Sequence, residues 1–328
     1  MNFINRTLMR RAWRRFVASF QLRSAPEGSI RQDGPLVFAV MRNEALRLPR
    51  FLEYYRRLGT SRFVIVENNS NDETLGILRK QSDVLLYRTS ASFVRKEAWL
   101  DFLLRRHGTD RWCLVVDADE LLDFPGGAEL GLSGLAAQLE NGGWNTLHAV
   151  LLDLYPPGPV STVDYRAGGD YFELDWYFDP MSSIRKAPRV FWKGSGLDYR
   201  FEGGVRERVF GVSNCCSKFP FFKFDPGMFL HDGQHYLEGA RIAPMRGVLY
   251  HFKYLQDFVP HAREEISRAQ HWKEASEYRR YTETAEAAGG DLVLREESSI
   301  RFEGMEQMLA EGVATSLESL DRSSAVSR

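Results

Sequence analysis

The sequence lacks the features that define several common classes of protein. Its 328 residues include only three cysteines, Cys113, Cys215 and Cys216, which have neither the number nor the spacing of a disulfide framework or a zinc site. Reduced thiols of an intracellular protein are the simpler interpretation. No run reaches the roughly 18 apolar residues that a membrane-spanning helix needs. The formal net charge of −1 gives no reason to expect a nucleic-acid partner.

Two phosphate-binding motifs are also absent. No GxGxxG follows the first predicted strand, which argues against a dinucleotide-dependent dehydrogenase. No GxxxxGK followed by Ser or Thr occurs in the chain, so a P-loop is excluded.

From residue 34 to 123 the chain instead alternates apolar runs with helical patterns. The runs have the length of strands, and they fall at residues 36–40, 63–66, 84–87 and 112–116. The helical patterns between them fall at 44–58, 72–80 and 92–106. Buried strands separated by helices predict an α/β fold, with a mostly parallel sheet and helices on both faces. Ligands of such sheets bind beyond the carboxyl ends of the strands.

The polar loop after the fourth strand contains the acidic turn Asp117-Ala118-Asp119. Two carboxylates at positions i and i+2 can reach one divalent cation, and oxygen ligands suit Mg²⁺ or Mn²⁺. Such an ion can hold a diphosphate and neutralise a departing nucleotide. Glu120 and Asp123 add charge, and these four acids repel one another unless something binds there. A solvated acidic turn is the alternative.

Five short motifs together resemble those of a GT-A glycosyltransferase, close to the family 2-like group. In chain order they read VMRNE at 40–44, VENNSND at 66–72, VDADE at 116–120, GGVRE at 203–207 and LYHFK at 249–253. The resemblance implies a metal-dependent transferase that moves a sugar from a UDP- or GDP-sugar to a saccharide or lipid-linked acceptor. Surface polysaccharide or glycoconjugate synthesis is the implied setting.

The resemblance also implies roles in binding the donor. The first-strand loop would approach the base and ribose through Arg42, Asn43 and Glu44. The second-strand turn would contribute Glu67, Asn69 and Asp72, although Glu67 stands where aspartate is commoner and Asp72 could instead cap a helix. Arg95 and Lys96 begin the next helix and would hold the diphosphate, unless they are simply solvated.

The resemblance implies that residues near position 250, together with the acidic turn, hold the metal and the phosphates. Asp119 would bind the ion, Asp117 the ion or the ribose, and His251 would complete the metal shell. Lys253 would face the phosphates, because alternation along a strand points residues 251 and 253 to one face. A purely structural His251 is the alternative.

The catalytic base is the least determined residue. An inverting transferase needs a carboxylate that takes the proton of the acceptor hydroxyl. Glu207 and Glu202 stand at the position that the resemblance implies for it. Asp232 lies in the polar cluster His231-Asp232-Gly233-Gln234-His235, which could bind acceptor or metal, or form a surface turn.

The chain divides into three predicted segments. Residues 1–33 form a basic amphipathic segment, 34–254 the GT-A catalytic domain, and 255–328 a C-terminal helical segment with a polar tail. Within the domain, residues 34–124 are the nucleotide-sugar half and 125–254 an elaborated acceptor half. Residues 1–26 hold six arginines and no acid, with aromatic residues between them. Such a helix can lie on an anionic membrane, and a solvated leader or a partner contact is the alternative.

Two other functions compete with glycosyl transfer. A sugar-nucleotide nucleotidylyltransferase shares the sheet and the metal, but its glycine-rich basic loop after the first strand is missing. A non-catalytic scaffold recruited to the membrane would not need the paired aspartates, which are intact. We therefore expect a cytoplasmic transferase, with a peripheral contact at the inner membrane surface as one interpretation of residues 1–26.

Overall fold

The structure is a computed structural model that describes residues 3–24, 34–188, 197–231, 234–270 and 272–317. Within these ranges the helices are α1 (Phe3–Gln21), α2 (Leu48–Arg57), α3 (Thr74–Arg79), α4 (Lys96–Leu103), α5 (Gly127–Asn141), α6 (Val205–Phe210), α7 (Phe258–Arg268), α8 (Trp272–Ala287) and α9 (Met305–Ala310). The strands are β1 (Arg23–Ser24), β2 (Leu36–Met41), β3 (Arg62–Glu67), β4 (Val84–Arg88), β5 (Trp112–Val115), β6 (Glu120–Asp123), β7 (Thr146–Asp153), β8 (Tyr177–Phe178), β9 (Ile184–Pro188), β10 (Tyr199–Gly203), β11 (Ser217–Lys223), β12 (Phe229–His231), β13 (Tyr236–Glu238), β14 (Ile242–His251) and β15 (Ile300–Arg301).

One large sheet organises the described part of the chain. Its strand order is β1-β4-β3-β2-β5-β11-β7-β14-β6. Strands β4, β3, β2 and β5 run parallel, as the four apolar runs predict. Strand β11 is antiparallel to both neighbours, and β14 pairs parallel with β7 and antiparallel with β6. The carboxyl ends of the four parallel strands therefore share one edge of the sheet.

The strands are apolar throughout because both faces of the sheet are covered. Val37 and Ala39 enter a core that includes residues of α2, α3 and α5. Phe38 and Val40 enter a second core that includes residues of α1 and α4. Successive side chains of a strand point to opposite faces, so a strand buried on both sides needs apolar residues at every position. The predicted α/β fold class, a sheet with helices on both faces, is confirmed, and its GT-A type stays a prediction.

Helix α2 begins later than the apolar spacing predicts. The pattern at 44–58 starts at Glu44, but the regular helix starts at Leu48, with Pro49 in its first turn. The backbone N–H of Glu44 donates to Thr74 Oγ1 at 2.8 Å, which ties this residue to the start of α3. Proline is favoured in a first turn because its missing N–H has no helical partner there.

The predicted C-terminal helical segment at 255–328 begins with two helices, α7 and α8. Ala269 has a left-handed φ of 50° and ends α7, and α8 follows. Their apolar residues join α6 in a third core that contains Phe210, Tyr254, Phe258 and Tyr281. Asp257, at the start of α7, accepts two hydrogen bonds from Arg47 at 2.7 and 2.8 Å. This ion pair holds α7 beside the carboxyl edge of the parallel strands. The boundaries of the three predicted segments stay predictions.

Candidate functional site

A cavity of about 610 Å³ opens at the carboxyl edge of the parallel strands. Its volume lies in the range of small-molecule sites. Seven of the residues predicted from the sequence line it: Arg42, Glu44, Lys96, Asp117, Asp119, His251 and Lys253. Residues as far apart in the chain as Arg42 and Lys253 thus meet at one cavity, as ligand binding beyond the strand ends requires.

Backbone contacts fix the acidic turn between three strands. Asp117 follows β5, and Glu120 begins β6. The N–H of Glu120 donates to the Asp117 carbonyl at 3.1 Å and closes the turn. The Asp119 carbonyl accepts the N–H of Phe252 at 2.8 Å, just after β14 ends. Pairing of His251 with Glu120 continues this connection along β14 and β6. The turn is therefore a rigid part of the sheet edge.

Two lysines neutralise part of the negative charge of the acidic turn. Lys96, at the start of α4, binds Asp117 Oδ1, and Lys218 of β11 binds Glu120 Oε1. The Lys218 ammonium also lies 3.7 Å from Asp117 Oδ2. Burial would raise the pKa of Asp117, but Lys96 and Lys218 outweigh it and lower that pKa. Asp117 is therefore ionised, although it lies in a buried setting.

A chain of charged groups connects the turn to the neighbouring strand. His251 lies between two carboxylates, with Nε2 3.0 Å from Asp119 Oδ2 and Nδ1 2.5 Å from Asp153 Oδ1. The second oxygen of Asp153 accepts Arg206 Nε at 2.7 Å. Burial would lower the pKa of His251, but Asp119 and Asp153 raise it to about 9. The imidazole is therefore protonated while it faces both carboxylates.

Asp119 and Asp153, the two carboxylates on either side of His251, are ionised. Burial disfavours their ionisation, but Arg206 and His251 lower the pKa of Asp153 to about 2. His251, Lys253 and Arg47 hold the pKa of Asp119 well below its usual range, against the same effect of burial.

Among the described residues, Asp119, Glu120 and His251 form a group that could hold a metal ion. Each offers one ligand atom, and these atoms lie within 4.8 Å of one another. Two carboxylate oxygens and one imidazole nitrogen fit a divalent transition metal. Asp153 sits behind the imidazole, where metal-bound histidines usually have a carboxylate or carbonyl partner. The donor set fits the predicted cation, with Glu120 added to the set; Asp117 as a ligand stays a prediction.

The first-strand loop is tied to α7. Glu264 accepts hydrogen bonds from Arg42 Nη2 at 3.0 Å and from Asn43 Nδ2 at 2.7 Å. Asn43 has a left-handed φ of 54°, which asparagine tolerates better than most residues. Burial and Asp119 raise the pKa of Glu44 to about 8, although Arg47 opposes them. The loop thus places the Arg42 guanidinium and the Glu44 carboxyl group, whose raised pKa favours its protonated form, in the lining of the cavity.

The other predicted donor residues lie outside this cavity. Glu67 and Asn69 line a second cavity of about 680 Å³ at the same edge of the sheet. Asp72 accepts the N–H groups of Thr74 at 2.9 Å and Ala45 at 3.0 Å, but it is not the N-cap of α3, because that position is Glu73, whose side chain makes no capping hydrogen bond. Arg95 is exposed. Their roles in donor binding stay predictions.

The base candidates have other partners in the structure. Glu207 makes two hydrogen bonds with Arg185, at 2.7 and 2.8 Å, and Glu202 binds the same guanidinium at 3.2 Å. Neither lines the cavity of the acidic turn. Asp232 lies outside the described residues. Glu277 of α8 does line the cavity.

Several residues of the site were missed in the sequence. Lys218 directly precedes the aromatic run that begins at Phe219, where a cation is unusual, and Asp153 directly follows the strand-like run 146–152. Both anomalies are visible in the sequence and could have drawn attention to these positions. Glu264 and Glu277 belong to charged helices that offer no such contrast, so only the fold reveals them.

No protein-family model and no curated protein matches this sequence. Among solved structures, the chain is similar to UDP-glucose pyrophosphorylase complexed with UDP-glucose, with 10% sequence identity and a TM-score of 0.25. The similarity covers 82% of this chain and 93% of that chain. A TM-score of this size carries no argument about function, so a function for this chain has to be inferred from the geometry of its site.

Proposed function

We propose that this protein is a metal-dependent glycosyltransferase that moves a sugar from a nucleotide-diphosphate donor to a saccharide or lipid-linked acceptor. The observation that carries the proposal is that Asp119 and His251 face each other at the cavity, with Asp153 bound to the far side of the imidazole. A carboxylate facing an imidazole, with a second carboxylate that fixes the ring from behind, provides the parts of a divalent-cation site. The site stands at the carboxyl edge of a parallel sheet, where nucleotides bind.

Asp119, His251 and Glu120 would hold the ion, and its binding would release the proton of His251 Nε2 to solvent, because a ligating imidazole nitrogen must be unprotonated. Mn²⁺ suits their mixture of oxygen and nitrogen ligands better than Mg²⁺, which prefers oxygen ligands and water. The bound ion would supply positive charge beside the departing nucleoside diphosphate. Asp117 would face the ribose or join the metal ligands.

The protein's own cations supply the remaining charge. Lys96, Lys218 and Lys253 line the cavity together with Arg206. The first two now bind carboxylates of the acidic turn, and phosphate oxygens are equivalent acceptors for an ammonium. Lys253 lies 5.3 Å from the ring centroids of Tyr278 and Tyr281, which keeps its charge at the cavity. These groups would orient the diphosphate and stabilise its developing charge.

Helix α7 would limit the access of water to the donor. Its Glu264 binds the first-strand loop, and its Arg268 lies 3.3 Å from Asn68 Oδ1 on the second-strand turn. One helix thus holds both loops that the resemblance associates with the nucleotide. Exclusion of water favours transfer to an acceptor over hydrolysis of the donor.

A thermal-shift screen with UDP-, GDP- and CDP-sugars, each with and without Mn²⁺, tests the proposal. We expect one nucleotide class to stabilise the protein only when Mn²⁺ is present, and we expect Asp119→Ala to lose that effect. Asp175→Ala is the matched control, because Asp175 is an exposed acid that pairs with Arg301. No stabilisation by any nucleotide, or unchanged stabilisation of Asp119→Ala, would contradict the metal-dependent mechanism.

Product analysis then separates the two enzymatic functions. A glycosyltransferase releases a nucleoside diphosphate from the sugar nucleotide that stabilises it. A nucleotidylyltransferase instead joins a nucleoside triphosphate to a sugar phosphate. It forms the sugar nucleotide and releases pyrophosphate from the triphosphate. Pyrophosphate as the Mn²⁺-dependent product would replace the proposed function with the second one.

A further inference from the structure

Helix α1 packs on the protein body through its basic side. Arg15 binds Asp101 at 3.2 Å and Arg14 binds Glu97 at 3.4 Å, both on α4. Arg11 binds Glu238 at 3.1 Å. Ala18 is fully buried in the same interface. These contacts fix which side of the helix faces outward.

The outward side is an apolar stripe of four large residues. Met9, Trp13, Phe16 and Phe20 follow one another at spacings of four, three and four, so they lie on one face of the helix. Each is between 55% and 73% exposed. Trp13 contacts Phe16 with ring centroids 5.7 Å apart, and Phe16 contacts Phe20 at 4.8 Å. A contiguous exposed stripe of this kind marks an interaction surface.

Positive charge lies near both ends of the stripe. Arg10 is exposed beside it, and within the described residues it makes no ion pair. The stripe ends at the second cavity, of about 680 Å³, which Phe20 lines together with Arg23, Arg79 and Arg88. Arg88 also pairs with the buried Glu67 of this cavity at 3.4 Å, and three guanidinium groups beside one carboxylate still leave a positive opening that favours a phosphate ligand.

We infer that this face of α1 binds an anionic membrane surface, with the cavity at Phe20 receiving a lipid phosphate. Aromatic residues on one face of a basic helix insert into the boundary between headgroups and acyl chains. Arginines beside them attract anionic lipids. In the described part of the chain no helix is long and apolar enough to span a bilayer, so α1 would lie in the plane of the surface.

The inference does not depend on glycosyl transfer, but it bears on the acceptor. Glu67 and Asn69 line the arginine-rich cavity and belong to the second-strand turn. That turn shares the carboxyl edge of the sheet with the acidic turn. A protein that binds the membrane through α1 would therefore hold its site close to acceptors anchored in lipid.

Vesicle sedimentation tests the inference with phosphatidylcholine vesicles that contain or lack phosphatidylglycerol. We expect binding to the anionic vesicles, weaker at high salt. The triple variant Trp13→Ser/Phe16→Ser/Phe20→Ser should bind them more than about tenfold more weakly, because three aromatic anchors are lost. Arg10→Gln and Arg23→Gln should each weaken binding by about fivefold, and only for the anionic vesicles.

Leu130→Ser and Val293→Ser are the matched controls, because both remove exposed apolar residues from other parts of the surface. They should bind vesicles like the wild type. Circular dichroism checks that each variant is folded. Absence of binding by the wild type, or equal binding to both kinds of vesicle, would overturn the inference. A dimer in analytical ultracentrifugation that the triple variant abolishes, without vesicle binding, would assign the stripe to a second copy of the chain.

Discussion

Asp153 holds Nδ1 of His251 at 2.5 Å and thereby turns Nε2 of the same ring toward Asp119. The two residues end neighbouring parallel strands, β7 and β14, where they are directly paired in the sheet register. The orientation of the proposed metal ligand is thus built into the strand pairing itself. Arg206 keeps Asp153 charged from the other side.

We first predict that Asp153→Asn weakens Mn²⁺ binding by about tenfold or more, because the partner of a metal-bound histidine fixes and polarises the ring. Isothermal titration with Mn²⁺ measures the effect. Asp179→Asn is the control, since Asp179 is a buried acid that pairs with Arg208 away from the cavity. Equal Mn²⁺ affinity of wild type and Asp153→Asn would contradict the assigned role of this pair.

We next predict that Lys218→Met lowers the free energy of unfolding by about 3 kcal/mol or more, because it leaves Glu120 buried without its counter-charge. Both side chains are nearly inaccessible to solvent. The double variant Lys218→Met/Glu120→Gln should recover much of this loss. Urea unfolding in the absence of metal measures all four proteins of the cycle. Additive effects of the two substitutions would show that the pair is not coupled.

A pH dependence is expected from Glu44, whose pKa rises from 4.5 to about 8 on folding. Between these values the folded protein holds a proton that the unfolded chain has lost. Its contribution therefore makes the free energy of unfolding fall as the pH rises through this window. Glu44→Gln removes the contribution, so the variant should gain stability relative to the wild type between about pH 5 and about pH 8.

Urea unfolding in EDTA at several pH values checks the prediction for Glu44. Glu53→Gln is a suitable control, because Glu53 lies on α2 as a partly exposed acid. A difference between Glu44→Gln and the wild type that stays constant across the window would contradict a raised pKa at this position.

Our last prediction concerns the base. We expect Glu277→Gln to lower the rate of glycosyl transfer by about 100-fold or more, because a base must reach the acceptor hydroxyl inside the cavity. Burial would raise the pKa of Glu277, but Lys253 and Arg206 lower it, so the group is ionised and able to accept a proton. Mn²⁺ affinity should not change.

Glu207→Gln is the parallel test of the base predicted from the sequence. Glu207 binds Arg185 outside the cavity, so we expect only a small effect on transfer. A larger loss in Glu207→Gln than in Glu277→Gln would favour Glu207 as the base and require it to move when the acceptor binds.

Much of the site could be predicted because it depends on local patterns. Apolar runs of strand length predict the parallel strands, and polar loops after such strands predict the binding edge. Asp117 and Asp119 were found in this way, whereas Arg42 was found through the resemblance. The position of His251 needed the resemblance, since the sequence offers no rule that brings residue 251 to residue 119. In the structure this happens because β14 pairs with β6, which starts directly after the acidic turn.

The α/β fold class, the parallel block of strands and the acidic turn at its edge are encoded locally, in the short-range alternation of apolar and polar residues. Which charges meet at that edge depends on how distant elements pack together. Lys218, Asp153, Glu264 and Glu277 come from distant strands and helices, and their ion pairs depend on long-range packing. The same holds for α1, whose composition predicts an amphipathic helix. Its contacts with α4 decide that the arginines face the protein and the aromatic stripe faces outward.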